Sequence, residues 1–265
     1  MAKDFKQFLG VIEKDFFQHP VIQNNPYTKW LKKGEIHTPQ LKDLITQWGV
    51  FSNHFLVVQC KRMVNARTEE AERGARWILA NEIGTGFDVE HGSCDGKTFF
   101  TKNAHINWLR ELAGMIGVEP RTVGAWENGT EATHKFLKDL DETYGSHDEN
   151  IGAGASFAIE SWAAYGIGKG PEAESNNFWQ EHIQGLKVYN EKQRVAKDLK
   201  PLPLGFFQYH FQIEGGHGAN VLHELEETFA SPNFNEKKYL EGGRKALEAI
   251  YTFSNGLDAS RKTRK

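Results

Sequence analysis

The sequence predicts an all-α protein, a single helical bundle of seven to nine helices. Three observations predict it. Apolar residues recur at i, i+3, i+4 and i+7 through most of the chain, which is the period of one helix face. No alternating apolar and polar run of any length stands between turn signals, as a half-buried strand would require. Several segments also open on helix-start signals, such as Thr38-Pro39 and Thr68 before a run of glutamates. With 265 residues, 39% of them hydrophobic, the chain can bury one large core, and residues 1–265 read as a single domain without internal repeats or a low-complexity linker.

Taken in order, Lys3 to Gln18 reads as a first amphipathic helix carrying Phe5, Phe8, Leu9, Ile12, Phe16 and Phe17, ended by His19-Pro20. A turn-rich stretch follows through Pro26. Thr38-Pro39 then supplies an N-cap and a first-turn proline for a long helix to about Asn65, with Leu41, Leu44, Ile45, Trp48, Phe51, Phe55 and Val58 as its apolar positions. Thr68 starts a helix that reaches Asn81-Glu82. Residues 83–100 are rich in glycine and polar residues and read as a long loop, the kind that is usually functional. Helix resumes from Thr101 to near Gly117. Further helices are expected from Gly129 to Tyr144, from Asn150 to about Ile167 and from Pro171 to about Lys197. Leu202-Pro203 opens another, and the last runs from Asn235 to about Phe253 with Tyr239, Leu240, Leu247 and Ile250 as its buried side.

A net charge of −3 without a long basic run argues against nucleic acid or an anionic membrane as the main partner, and the basic tail RKTRK reads as a frayed end. With no 18-residue uncharged apolar stretch and no charged-then-apolar leader, the expected location is the cytoplasm. Cys60 and Cys94 are too few for a disulfide framework, which fits a reducing compartment, and Cys60 reads as a buried, inert thiol.

The chemistry is concentrated in the helix after Leu202. On a helix turning about 100° per residue, His210, Glu214 and His217 fall within roughly 60° of one face. Two imidazoles and a carboxylate projecting together suit a divalent metal, and Glu-x-x-His on an inward-facing helix is half of a carboxylate-bridged dimetal site. Glu160 is a fourth candidate. It stands in SFAIESWAAY among apolar or small residues, where a carboxylate is costly to bury unless it is paired, protonated or bound to metal.

NEIGTG, a loop, and then HINWLRELAGMIGV resemble the pattern of the haem-oxygenase-like diiron oxidases and oxygenases. In that family a helix ends in Glu-x-Gly-x-Gly or a relative, and a histidine then leads an amphipathic helix closed by a glycine. The resemblance continues through Ala158-Ile-Glu160, where the family places a bridging glutamate. It ends at His210-x-x-x-Glu214-x-x-His217, where the family pattern is His-x3-Asp/Glu-x2-His. It implies a haem-oxygenase-like bundle with Glu82, His105, Glu160, His210, Glu214 and His217 as metal ligands. His91, nearer to Glu82, is the alternative to His105, but it sits in a polar loop whereas His105 opens an apolar helix. Some relatives add a glutamate on the preceding helix; WGVFSNHF offers Asn53 and His54 there, as supporting groups or, for His54, as a satisfied core histidine.

The resemblance further implies a cofactor of two Fe(II) ions, replaceable by manganese, that activates O2 to oxidise a small molecule. An amino acid or carboxylic acid is the preferred substrate, with N-oxygenation, desaturation, decarboxylation or C–C cleavage as the reaction. Lys102, Arg110 and Lys169 are available as carboxylate anchors. Trp48, Phe51, Phe55, Trp108, Phe157, Trp162, Phe207 and Tyr209 are available as an apolar wall. An external electron donor and a homodimeric assembly are compatible with this reading. Rival readings on the same fold are a cofactor-free enzyme like pyrroloquinoline-quinone synthase, a thiaminase-like hydrolase with a cysteine nucleophile, and a non-catalytic metal-binding helical protein.

Overall fold

The computed structural model describes residues 4–84, 103–164 and 177–264, and of residues 215–217 and 220 the backbone alone. Among the described residues there are eleven α-helices and no strand. Nine run eleven residues or more: α1 (Phe5–Asp15), α4 (Thr38–Asn65), α5 (Glu69–Glu82), α6 (His105–Met115), α7 (Glu131–Thr143), α8 (Glu149–Ala164), α9 (Phe178–Tyr189), α10 (Gly205–Ala230) and α11 (Glu236–Thr263). The other two, α2 (Pro20–Gln23) and α3 (Pro26–Leu31), are short. They occupy the stretch expected as turns. Each starts on a proline whose preceding residue caps it, His19 accepting from Val21 N–H and Asn25 from Tyr27 N–H.

The helices begin where their side chains can satisfy free amides. Thr68 accepts from Ala71 N–H at the head of α5, with Glu69, Glu70 and Glu72 in its first turn; Thr130, Asn177 and Asn235 cap α7, α9 and α11. The cap of α4 is His37, one residue earlier than expected, and Thr38 hydrogen-bonds Tyr189 instead. Beyond α9 the backbone continues as a π-turn over Asn190–Arg194 and a short 3-10 turn over Val195–Lys197. α11 extends ten residues past Phe253. Its end is charged rather than apolar, with Asp258 paired to Arg261 and Lys262 and the cation of Arg261 lying over Trp30. RKTRK is therefore largely the last helical turn, and Arg264 reaches Asp43. No helix among the described residues is long and apolar enough to cross a membrane.

α8 is the axis of the bundle. Every residue from Gly152 to Ala164 is buried, because α11 and α10 pack along it from two sides. The backbones of α8 and α11 touch at two glycines: a Cβ on Gly154 would fall well inside contact with the Tyr239 carbonyl, and one on Gly242 would strike that of Ile151. In an ordinary helix interior, glycine to alanine stabilises by about 1 kcal/mol. Here Gly154→Ala is expected to destabilise by about 1–3 kcal/mol through overpacking, read as a lower denaturation midpoint at unchanged slope. A midpoint that rises would show that the helices do not approach so closely.

α4 packs on α5, α6 and α7, and α10 meets α5, α6, α8 and α9. The C-terminal end of α5 and the start of α6 thus come against α10, with α8 alongside.

Candidate metal centre

Glu82 is the last residue of α5, His105 the first of α6, and His210 lies one turn into α10. The three ligand atoms they offer all lie within 4.8 Å of one another. His105 Nδ1 is 2.9 Å from Glu82 Oε2, His210 Nε2 is 4.0 Å from Glu82 Oε1, and the two imidazole centroids are 4.5 Å apart. Although close to the carboxylate, His105 Nδ1 is buried and makes no well-aligned hydrogen bond to it. The groups are gathered around one point.

Each imidazole is oriented by its surroundings. His210 Nδ1–H donates to the Phe206 carbonyl at 2.6 Å, one turn back on the same helix. A carbonyl can only accept, so this bond fixes the tautomer and leaves the Nε2 lone pair facing Glu82, the usual arrangement of a ligating histidine. Trp179 stacks on the His210 ring at 4.7 Å and 22°. His105 stacks on Trp108 and meets the edge of Tyr209. The Tyr209 hydroxyl accepts from Asn81 at 2.6 Å, tying the end of α5 to α10 next to Glu82.

The charge states suit a cation. Burial by itself would raise the Glu82 carboxyl, but the facing His105 and His210 imidazoles outweigh it and hold the group well below the usual carboxylate range. Burial lowers His105, against the opposing pull of Glu82, and so favours the neutral form that a metal needs.

Glu160 on α8 and Glu214 on α10 are both buried and, with Glu82 and His210, line one small cavity. α8 has no solvent face at this level, so Glu160 is enclosed as its neighbours are. His217 belongs to α10, which runs as continuous helix through Gly215 and Gly216, but its side chain lies outside the described residues, as does His91. Close packing in this part of α10 shows at Gly218, where a Cβ would lie 3.0 Å from the Ala164 methyl.

Several expectations are corrected. Asn53 and His54 do not stand behind the cluster: Asn53 donates to the Gly124 carbonyl at 3.0 Å and His54 packs edge-on against Trp126, on a different face of α4 from the cavity-lining Trp48, Phe51, Ser52 and Phe55. Cys60 is exposed, not buried, on the outward side of α4 in a groove with Lys61 and Asp141. Arg110 is held by Asn107 and the Val123 carbonyl and does not line the cavity, while Lys102 and Lys169 fall outside the described residues. Of the expected aromatic wall, Trp48, Phe51, Phe55 and Trp162 line the cavity. Trp108 and Tyr209 border a separate surface cleft, and Phe157 and Phe207 are ordinary core. Trp179 and Phe206 complete the wall and carried no polar signal in the sequence.

Among the described residues the donor set is two imidazoles and one carboxylate, with two more carboxylates beside them and no thiolate, which fits iron or manganese better than a structural zinc site.

No protein-family model and no curated protein matches this chain. Solved structures do. A domain of unknown function with a haem-oxygenase-like fold from Shewanella denitrificans aligns with a TM-score of 0.65 over 99% of this chain and 95% of its own, at 13% identity. A CADD-like protein of unknown function from Nostoc punctiforme gives 0.65 over 96% and 95%, at 15% identity. A TenA homologue from Pseudomonas syringae pv. tomato gives 0.61 over 95% and 93%, at 10% identity. At such identities the likeness shows the fold: this chain has the all-α, haem-oxygenase-like fold.

Proposed function

We propose that this haem-oxygenase-like chain is a non-haem diiron oxidase or oxygenase that uses O2 to oxidise a small molecule, an amino acid or carboxylic acid being the preferred class. The observation that carries the reading is the convergence of Glu82, His105 and His210 from three helices on one buried point, walled by Glu160 and Glu214. In this reading Glu82, His105 and His210 would hold one ion, and Glu160, Glu214 and His217 would supply ligands to the second. Manganese could occupy the same ligands. When bound, the ions supply the activation of O2.

The protein's own part is positioning and exclusion of water. The Phe206 carbonyl keeps the His210 proton on Nδ1 and Nε2 free to bind. The depressed Glu82 keeps a full negative charge at the cluster. Trp48, Phe51, Phe55, Trp162, Trp179 and Phe206 surround the adjoining space with apolar surface, which strengthens electrostatic interactions there and keeps bulk water out. The long ligand helices α8 and α10 fix the geometry through their packing on each other.

Anaerobic titration with ferrous iron, followed by an oxygen-electrode measurement, tests the proposal. Two ions per chain should bind, and O2 uptake should appear only in the loaded protein and rise with an amino-acid or carboxylic-acid substrate. Iron binding without O2 uptake across both classes would leave a metal-binding role and overturn the oxidase reading.

A further inference from the structure

α4 turns one face to solvent, and that face is largely apolar. Between residues 40 and 65 its exposed residues are Val57, Cys60, Lys61 and Val64, at the i, i+3, i+4, i+7 spacing of a single stripe. Val57 is 55% and Val64 72% exposed. The stripe lies on the opposite face of α4 from Trp48, Phe51, Ser52 and Phe55, which line the cavity of the Glu82 cluster. Lys61 is its one charge, and Asp141 on α7 neutralises it with both carboxylate oxygens, at 2.5 and 2.7 Å. A solvated helix face carries polar and charged groups, so two bare valines and a thiol in this position call for a cover.

Two grooves flank the stripe. One runs from Val57 to Trp126, and the other passes Cys60 and Val64 to Gly145 and His147. Trp126 is 45% exposed yet held in place, with the His134 ring stacked on it at 4.2 Å and His54 edge-on at 4.9 Å. Tryptophan is among the side chains that most often anchor an interface. The α7 side of the grooves carries Lys135 and Lys138 alongside Asp139, Asp141 and Glu142. Such a mixture argues against an anionic membrane or nucleic acid, which attract an unmixed basic surface. It suits a contact in which each sign meets its opposite.

The stripe is also its own complement. It reads alike from either end, with Val57 and Val64 outermost and Cys60 and Lys61 in the middle. Two copies related by a two-fold axis between residues 60 and 61 run antiparallel, and Val57 of each then meets Val64 of the other. A residue as small as Cys60 at the crossing lets the two helices approach closely. Lysines and carboxylates on the flanking α7 are brought face to face by the same axis. We propose that this face of α4, with Trp126 at its edge, is the interface of a homodimer of this chain. The inference needs no metal and stands apart from the oxidase chemistry.

Sedimentation equilibrium of the full-length, metal-free protein tests it. The wild type should sediment as a dimer, at twice the 30.1 kDa of the chain. Val64→Glu should weaken dimerisation by more than about 100-fold with an unchanged circular dichroism spectrum, since a substitution in a two-fold contact enters twice and buries an unpaired charge. Val57→Lys should do the same. The two substitutions combined should restore the dimer, because the new cation and the new carboxylate then face each other across the axis. Within one chain they stand about 10 Å apart along the helix, too far to pair. In a Cys94→Ser background a short bis-maleimide should join two chains through Cys60, and adding Val64→Glu should stop it. Wild-type sedimentation and the Cys60 crosslink stand without either stripe variant, should one fail to fold. A chain that stays monomeric, whether or not another protein covers the face, overturns the inference. So does a dimer indifferent to both single substitutions, or a double variant no tighter than either single one.

Discussion

Glu82→Ala is expected to lower the affinity for ferrous iron by more than about 100-fold while the chain stays folded. Losing a group that merely supports a ligand already costs about 10- to 100-fold, and a ligand itself should cost more. Glu82 is the vertex of the cluster: its two oxygens face His105 and His210 separately, so removing it leaves two imidazoles with no carboxylate between them. It ends α5, and its backbone is not needed to continue a helix beyond it. Anaerobic competition against a chelator of known affinity measures the effect, with a thermal melt of the metal-free variant to establish folding. His54→Ala, on a different face of α4, should leave iron affinity unchanged. Equal losses in the two variants would contradict the assignment.

Arg62→Leu is expected to cost about 3–5 kcal/mol of stability, because it strands a buried charge. The Arg62 guanidinium, 3% exposed, on α4 pairs with Glu224, 10% exposed, in the C-terminal half of α10. Their surroundings include Tyr144 and Tyr239, both buried, and the charges of the pair reach each phenol. Burial pushes the Tyr144 hydroxyl well above its usual range, with Glu160 adding to the effect, so it stays protonated and supplies no countercharge. Replacing both partners, as in Arg62→Leu with Glu224→Leu, should recover most of the loss, since an apolar pair needs no compensating charge. Chemical denaturation of the two single variants and the double variant forms the cycle that checks this. Glu224 continues the face that carries His210 and Glu214, so the pair also sets how α10 presents its ligands. Weaker iron binding should therefore accompany the loss in Arg62→Leu.

What could be read from the sequence depended on how local the signal was. The shared face of His210 and Glu214 follows from helical spacing alone, and α10 is an unbroken helix over that stretch. Glu160 was legible because its neighbours are apolar or small on all sides, which is how a helix enclosed on every face reads. Glu82 and His105 were different. Nothing local marks them as partners, since the chain between them carries no periodic pattern, and only the resemblance to a known family paired them.

The misses have physical causes as well. α2 and α3, four and six residues long, are shorter than the window in which an apolar period can be seen, though their proline starts and caps were in view. α11 outran its apolar pattern because its last turns are held by ion pairs, which a hydrophobic period does not register. Cys60 looked buried because it follows Val57 and Val58, yet Val57 and Val64 are themselves exposed on that side of α4. Trp179 and Phe206 reach the cavity through the packing of α9 against α10, a tertiary fact with no sequence counterpart.

Anomalous scattering at the iron edge, from crystals grown anaerobically with ferrous iron, bears most directly on the proposed dimetal centre. The expected map holds two peaks per chain, one within bonding distance of Glu82, His105 Nδ1 and His210 Nε2, the other against Glu160, Glu214 and His217. A map with no peak between Glu82, His105 and His210 would contradict it.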